Sequence, residues 1–291
     1  MRALLSFIAL LIIALIIGAI ISYPVYLFLA NWFEPEFEGV ASRIVLLTVL
    51  ILIFFAVKIF GIQSWKDIGY DTNKKEFWKN LLVGIGLGIL IMSPVIAGLL
   101  LTKNRVLVAD WDWSLTRFLP LALTALVSGL LISLIEETLM RGAILTVIQR
   151  QSSIFFAIIS TSFIYAFVHF IEPEVKIDPN DITWDSGFIL LQSSFSLFSS
   201  PTNIFDSFIA LFLAGALLAI IKVRTNKLSI CIGIHTGWVF IIKIFRKITD
   251  PNIQSEYAYL TGSYDNVIGY LAAICIFIFI TIFLRASRSM V

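Results

Sequence analysis

Long apolar runs separated by short polar connectors constrain this chain more than any other feature of its sequence. Of its 291 residues, 59% are hydrophobic and 14% are charged, and the mean hydropathy is +0.97. Soluble domains carry about 25% charged residues, whereas a helix that crosses a bilayer needs about 20 largely apolar residues in a row. The pattern therefore predicts an all-α fold, a polytopic membrane helix bundle.

Eight apolar runs are candidates for transmembrane helices. They cover residues 4–30, 41–61, 81–102, 118–149, 153–171, 204–222, 228–246 and 265–285. The first run is longer than the apolar core of a signal peptide and has no clear small-residue cleavage site, so we interpret it as a retained anchor. The chain is thus predicted to have about eight transmembrane helices.

Charge indicates how the bundle is oriented and which partners it has. The net charge of +2 gives no basis for nucleic-acid binding, so the predicted partner is the lipid bilayer. With the N-terminus inside, twelve Lys and Arg residues fall on the inner side and eight on the outer side, which favours cytosolic termini. Trp65 and Trp78 in the second connector suit the headgroup zone. Cys231 and Cys275 form no CxxC pair and predict no disulfide.

Three charged residues interrupt the fourth run, in the segment "SLIEETLMRG" at residues 133–142. On a helix, Glu137 and Arg141 are four residues apart and share a face, so they are able to pair. Glu136 points about 100° away from Glu137. A charge at the bilayer centre costs at least about 2.5–3.5 kcal/mol. The segment therefore predicts either a polar site inside the bundle or a structural ion pair between helices.

The two histidines of the chain, His169 and His235, both fall in predicted spans. Either one alone is more typical of a hydrogen-bonded core residue, but two of them with a glutamate pair suit general acid–base chemistry. The turn between the fourth and fifth spans is predicted at residues 150–153. Glu136 and His169 each lie about 16 residues from it, roughly 25 Å along their helices, so they should face each other. His235 reaches that level only if the hairpin extends beyond the inner membrane surface.

These residues, in this order, resemble the CAAX prenyl protease and bacteriocin-processing family of intramembrane proteases, also called the Abi family. The resemblance covers about residues 120–245 and is carried by Glu-Glu-x-x-x-Arg, an aromatic-x-x-x-His and a later intramembrane His. Tyr165 stands at the aromatic position, where phenylalanine is usual. Val239 stands four residues after the second histidine, where many members have an asparagine that is thought to bind the oxyanion. Trp238 and Thr236 are the candidates to replace that donor.

The resemblance implies hydrolysis of peptide bonds within the membrane. It implies that Glu136 is the general base, that His169 positions the water and that His235 stabilises the oxyanion. Glu137 and Arg141 would hold the local structure and tune the base. The implied substrates are membrane-associated proteins or peptides, including prenylated, CAAX-type proteins. The resemblance implies that bacterial members act instead in bacteriocin maturation or self-immunity. The implied location is a bacterial plasma membrane.

The same resemblance suggests a division of the chain into three parts. These are N-terminal transmembrane helices with an interfacial segment at 1–115, a catalytic core at 116–250 and a C-terminal transmembrane helix at 251–291. Two histidines and a glutamate are also a zinc set, but the histidines lie on different spans and no HExxH is present. We predict no metal and no other cofactor, with zinc as the alternative.

Two other classes of protein remain open at this point. Val239 in place of asparagine is compatible with a catalytically weak or inactive membrane scaffold or self-immunity protein that keeps the fold. A proton-coupled transporter would use the glutamate and the histidines as a relay. The charged motifs cluster in the second half of the chain, and no inverted repeat of the kind found in transporters is visible in the sequence.

Overall fold

The protein is a bundle of apolar helices, and the computed structural model describes residues 2–71, 73–262 and 264–288. The helices are α1 (Arg2–Ala30), α2 (Phe37–Ile59), α3 (Lys74–Leu101), α4 (Leu115–Glu137), α5 (Leu145–Gln151), α6 (Ile154–Val168), α7 (Ser186–Ser193), α8 (Phe205–Thr225), α9 (Leu228–Ile248) and α10 (Tyr270–Arg288). A π-helical segment, Thr138–Ile144, joins α4 to α5 without a break. Two short antiparallel strands, β1 (Arg105–Leu107) and β2 (Thr249–Pro251), form the only sheet among these described residues.

All eight predicted helices are present in the part of the chain that the structure describes. Six of them are long and apolar enough to cross a membrane, including the continuous helix Leu115–Gln151. The apolar helices α6 and α10 are shorter. The predicted all-α polytopic fold is therefore confirmed, and the protein is an integral, multi-pass membrane protein. Both cysteines are free.

The hairpin between α5 and α6 is as tight as the sequence predicts. Ser152 has an extended backbone, which ends α5. The side chain of Ser153 caps α6 by accepting a hydrogen bond from the backbone N–H of Phe156 at 3.2 Å. Such a cap satisfies one of the unpaired N–H groups at a helix start. The chain therefore reverses direction within two residues, which sets α6 antiparallel to the preceding helix.

Glycines bring α3 and α9 into close contact. Gly84 and Gly88 lie against α9, where an added Cβ would meet the carbonyl oxygens of Ile230 and Ile234. Gly86, between them, faces open space. Small residues let helix backbones approach closely in membranes, where packing replaces the hydrophobic effect as the main attraction. Of these three glycines at alternate positions, Gly84 and Gly88 therefore pack two helices together and Gly86 does not.

The remaining helices complete two sides of the bundle. α4 and α3 both pack along α9, α6 packs along α8, and α1 packs along α2. The long acidic connector before α8 contains the short helix α7, which packs against α1. The π segment contacts both α6 and α9, so the carboxyl-terminal part of α4, the end of α6 and the middle of α9 lie close together.

Candidate active site

A buried ionic cluster joins α4, the π segment and α9. The Glu137 side chain is 0% exposed and its Oε1 accepts a hydrogen bond from Arg141 Nη1 at 3.0 Å. The same oxygen lies 2.9 Å from His235 Nδ1. The four-residue pairing predicted for Glu137 and Arg141 is therefore present, and it also fixes the ring of His235. Because a buried charge is costly without partners, this cluster holds the two helices at one register.

Arg141 has further contacts that keep it in place. Its Nη2 donates to the carbonyl oxygen of Gly215 at 3.2 Å. Its guanidinium carbon lies 4.3 Å from the centroid of the Tyr165 ring, a cation–π arrangement. The aromatic residue of the second motif therefore packs between the arginine of the first motif and His169, whose ring centroid is 4.4 Å from that of Tyr165.

Glu136 points away from this ionic cluster and towards the two imidazoles. Its Oε2 lies 3.9 Å from His169 Nε2 and 4.0 Å from His235 Nε2. That oxygen has no hydrogen-bond partner among the residues that the structure describes. The Glu136 side chain is 34% exposed, in contrast to its fully buried neighbour. The two adjacent carboxylates thus occupy different environments. That of Glu137 is paired with Arg141 and His235, whereas Oε2 of Glu136 is available to a water molecule or a substrate.

In each histidine, the hydrogen bond at Nδ1 determines whether Nε2 of the neutral ring is a donor or an acceptor. His169 Nδ1 lies 2.7 Å from the carbonyl oxygen of Tyr165, which only accepts, so Nδ1 carries the hydrogen. The Nε2 of a neutral His169 is then an acceptor. His235 Nδ1 faces the carboxylate of Glu137 and carries a hydrogen for the same reason. An Nε2–H donor at His235 therefore requires the doubly protonated ring.

The π segment begins immediately after the glutamate pair. Thr138–Ile144 has the wider π-helical turn between two α-helical stretches. Single π turns inside α-helices occur often at functional sites. Here the irregular turn carries Arg141, and all of its residues from Met140 to Ile144 are buried. The sequence pattern does not signal this turn, because an arginine and a glycine occur in ordinary α-helices as well.

An apolar cavity of about 680 Å³ adjoins the site. Glu136, Tyr165 and His169 are among its lining residues, and most of the remaining lining consists of aliphatic and aromatic side chains of α1, α2, the π segment and α6. This size lies within the range of small-molecule pockets. The sequence did not predict that α1 and α2 contribute to this lining, since apolar residues of a lipid-facing helix and of a cavity wall have the same composition.

The candidate oxyanion donors differ in their availability. The hydroxyl of Thr236 donates to the carbonyl oxygen of Ile232 at 2.7 Å and shares a hydrogen bond with Ser133. The Nε1 of Trp238 is buried and has no partner in the described part of the chain. The centroid of its ring lies 6.3 Å from that of His235. Val239 packs beside Gly129 of α4.

The structure brings together all five residues that the sequence singled out, namely Glu136, Glu137, Arg141, His169 and His235. His235 lies at the same level as Glu136 and His169, although the residue count left this open. Their roles stay predictions. Among the described residues, no group of three or more His, Cys, Asp or Glu side chains is arranged to hold a metal ion. The expected absence of a metal also stays a prediction.

Comparison with known proteins identifies one family. Residues 118–241 match the family described as Rce1-like, type II CAAX prenyl endopeptidase Rce1-like. This match confirms the predicted resemblance to CAAX proteases over the segment that carries both glutamates and both histidines. No curated protein and no solved structure matches the chain significantly. The matched segment falls inside residues 116–250, while the three-part division of the chain stays a prediction.

Proposed function

We propose, from the match of residues 118–241 to type II CAAX prenyl endopeptidases, that this chain is an intramembrane endopeptidase. The observation that carries the proposal is the position of Glu136 Oε2. It lies 3.9 and 4.0 Å from the Nε2 atoms of His169 and His235 and has no hydrogen-bond partner among the described residues. A carboxylate oxygen left free between two imidazoles is suited to take a proton from water.

The first step is the activation of water by Glu136. A water molecule between Glu136 Oε2 and His169 Nε2 would donate one hydrogen to each, because both atoms are acceptors in the arrangement described above. Their separation of 3.9 Å allows one water to contact both at about 2.8 Å. As the water oxygen attacks the carbonyl carbon of the scissile bond, Glu136 takes its proton. Glu136 then returns a proton to the leaving amine.

Stabilisation of the oxyanion falls to His235 in its doubly protonated form. Glu137 accepts the Nδ1–H of that ring, which leaves Nε2–H to donate to the developing negative charge. The charges then balance, since Arg141 and the imidazolium together offset the two carboxylates of Glu136 and Glu137. Such balance supports the assignment, because an uncompensated charge is expensive in a buried site. Trp238 is a second candidate donor.

The lining of the 680 Å³ cavity supports a substrate with a large apolar part. A prenylated, CAAX-type peptide fits this description, and so does an apolar segment of a membrane-associated protein. A bacteriocin precursor is a further candidate substrate, because the resemblance implies action in bacteriocin maturation or self-immunity. We assign both termini to the cytosol because of the excess of basic residues on the inner side. The assignment to a bacterial plasma membrane rests only on the family resemblance.

The Glu136→Gln variant tests the assignment of the general base. The full chain in nanodiscs would be incubated with a fluorogenic farnesylated CAAX peptide and with the same peptide without the prenyl group. General base catalysis contributes about 10²–10⁴-fold, so we expect turnover to fall by at least about a hundredfold with unchanged folded yield. Exposed Glu256→Gln is the matched control and should retain full activity. Retained turnover in Glu136→Gln would reject the assignment.

Chelation tests the proposed independence from metal. The wild-type chain would be dialysed against a strong chelator and assayed with the same peptide, and we expect its activity to be unchanged. Loss of activity that zinc restores would instead favour the alternative in which His169, His235 and Glu136 bind zinc. Capture of membrane peptides on Glu136→Gln, compared with wild type, would identify the substrate class.

A non-catalytic scaffold or self-immunity protein is the second candidate function. Val239, in place of the asparagine found in many family members, is the observation that favours it. Wild-type protein that binds membrane peptides but cleaves none of them, with or without added zinc, would support this second function.

A further inference from the structure

A connector outside the matched segment contacts both the helix that carries Glu136 and the helix that carries His235. Residues 61–71, "GIQSWKDIGYD", run between α2 and α3, and we call this segment the strap. The hydroxyl of Tyr70 lies 2.7 Å from the hydroxyl of Thr138. Thr138 is the first residue of the π segment and directly follows Glu137. Since Thr138 donates its one hydrogen to the carbonyl oxygen of Leu134, Tyr70 is the donor and Thr138 the acceptor.

The other end of the strap is bound to the start of α9. The carbonyl oxygen of Gly69 accepts a hydrogen bond from the backbone N–H of Leu228 at 2.8 Å. The buried carboxylate of Asp71 accepts from Lys227 Nζ at 2.6 Å and from the hydroxyl of Ser229. These residues lie about two helical turns before His235. The strap therefore contacts the helix that carries Glu136, through the π segment, and also α9, which carries His235.

The strap is itself well ordered by its own contacts. Asp67 Oδ2 accepts hydrogen bonds from the backbone N–H groups of Gln63 and Ser64 at 2.9 and 2.8 Å. Ile68 is buried against the π segment, where a Cβ added to Gly142 would touch it. A segment with internal hydrogen bonds and a buried side chain opens less often than a loose loop, so it constrains the residues that it contacts more firmly.

We propose that Tyr70 is a positioning residue for Glu136, acting through Thr138, an inference that rests on the proposed protease function. A π turn holds one residue more than an α-helical turn, so its loss would rotate the preceding residues relative to those that follow by roughly 100°. Glu136 precedes the turn and Arg141 lies within it. The hydrogen bond from Tyr70 holds the start of the turn, and thereby the direction in which the Glu136 carboxylate points.

The first test is a double-mutant cycle of Tyr70→Phe and Thr138→Val, assayed with the farnesylated peptide. We expect each single variant to lower kcat about five- to tenfold with KM unchanged, which matches the loss of one hydrogen bond. The double variant should be no slower than either single variant, because both remove the same interaction. Tyr259→Phe, an exposed tyrosine remote from the strap, should have no effect.

Three outcomes would overturn the inference. One is an unchanged kcat in Tyr70→Phe. Another is a fall in kcat that is multiplied in the double variant, since independent effects multiply. The third is a rise in KM with kcat unaltered, which would indicate weaker binding of the peptide with no change in the positioning of the base.

A second measurement separates this inference from the proposed function. Amide hydrogen exchange of the full chain in nanodiscs needs no substrate and reports local opening. In Tyr70→Phe we expect faster exchange of about fivefold or more at residues 138–144, with α3 unchanged. If wild type cleaves neither peptide but exchange accelerates as stated, the protease assignment fails and the coupling of the strap to the π turn stands. Unchanged exchange at residues 138–144 would reject the coupling itself.

Discussion

Replacement of Arg141 by methionine should be among the most destabilising single substitutions in this chain. Arg141 and Glu137 are 2% and 0% exposed, and their charged atoms lie 3.0 Å apart. Removal of one partner of a buried ion pair costs about 3–5 kcal/mol, because the other charge stays buried without compensation. Since the whole free energy of unfolding of a typical protein is about 5–15 kcal/mol, Arg141→Met should lose a large part of it.

The assay is unfolding of the full chain in mixed micelles, with folded yield from size-exclusion chromatography as an independent measure. Arg117→Met is the matched control on the same helix, because Arg117 is exposed and lies over Trp111 at 4.8 Å. An exposed cation–π contact contributes about 0.5–1 kcal/mol. The free energy of unfolding of Arg117→Met should therefore fall by no more than about 1 kcal/mol.

A double replacement isolates the physical cause. In Glu137→Leu/Arg141→Met the carboxylate that has lost its arginine is also removed, and buried ion pairs replaced by apolar residues of similar volume are often neutral in stability. The double variant should lose the hydrogen bond to His235 Nδ1, yet it should be more stable than Arg141→Met alone. A loss below about 1 kcal/mol in Arg141→Met, or a double variant less stable than the single one, would refute the reasoning.

Three further predictions concern other parts of the molecule. If Trp238 donates to the oxyanion, Trp238→Phe should lower kcat by about 10²–10³-fold. Its Nε1 has no partner to lose among the described residues, but the smaller ring leaves a cavity in the core, so kcat is measured on the folded fraction. A change in kcat below fivefold would remove Trp238 from the mechanism. Gly88→Ala should lower the free energy of unfolding by about 1–3 kcal/mol, because the added Cβ would meet the carbonyl oxygen of Ile234. Gly86→Ala should be tolerated, because Gly86 faces open space. Equal effects of the two substitutions would contradict the packing described above. Hydrogen bonds from two backbone N–H groups hold the pKa of Asp67 below its ordinary value of 3.8. The stability that Asp67 gives the strap is therefore present above pH 3.8 and is lost as the pH falls through the lower pKa of the folded state. Hydrogen exchange of the strap amides, corrected for intrinsic rates, should rise at low pH in wild type but not in Asp67→Asn.

The sequence was most informative where a fixed helical geometry relates sequence distance to spatial distance. The 3.6-residue turn predicted the pairing of Glu137 with Arg141, which lie 3.0 Å apart. Equal residue counts on either side of a short turn placed Glu136 opposite His169, and the structure has 3.9 Å between them. Both inferences depend only on local helix geometry and on one tight hairpin, so neighbouring residues suffice to make them.

Counting residues along the chain could not predict the depth of His235 in the bundle. Its depth depends on how α9 packs along α3, where glycine contacts set the register between two helices that are distant in sequence. Sequence spacing gives neither the partner of these glycines nor the offset along that partner. The fully buried contact of His235 with Glu137 at 2.9 Å follows from that packing.

The sequence by itself determined the membrane-embedded helical fold, because the length and apolarity of each run are set by the thickness and chemistry of the bilayer. It also determined which charged residues had to lie inside the bundle, since three of them in lipid would be too costly. The tertiary structure alone decided that a π turn follows Glu137, that Tyr70 holds this turn, and that α1 and α2 line the apolar cavity. These features depend on contacts between segments far apart in the chain, which residue composition and periodicity do not record.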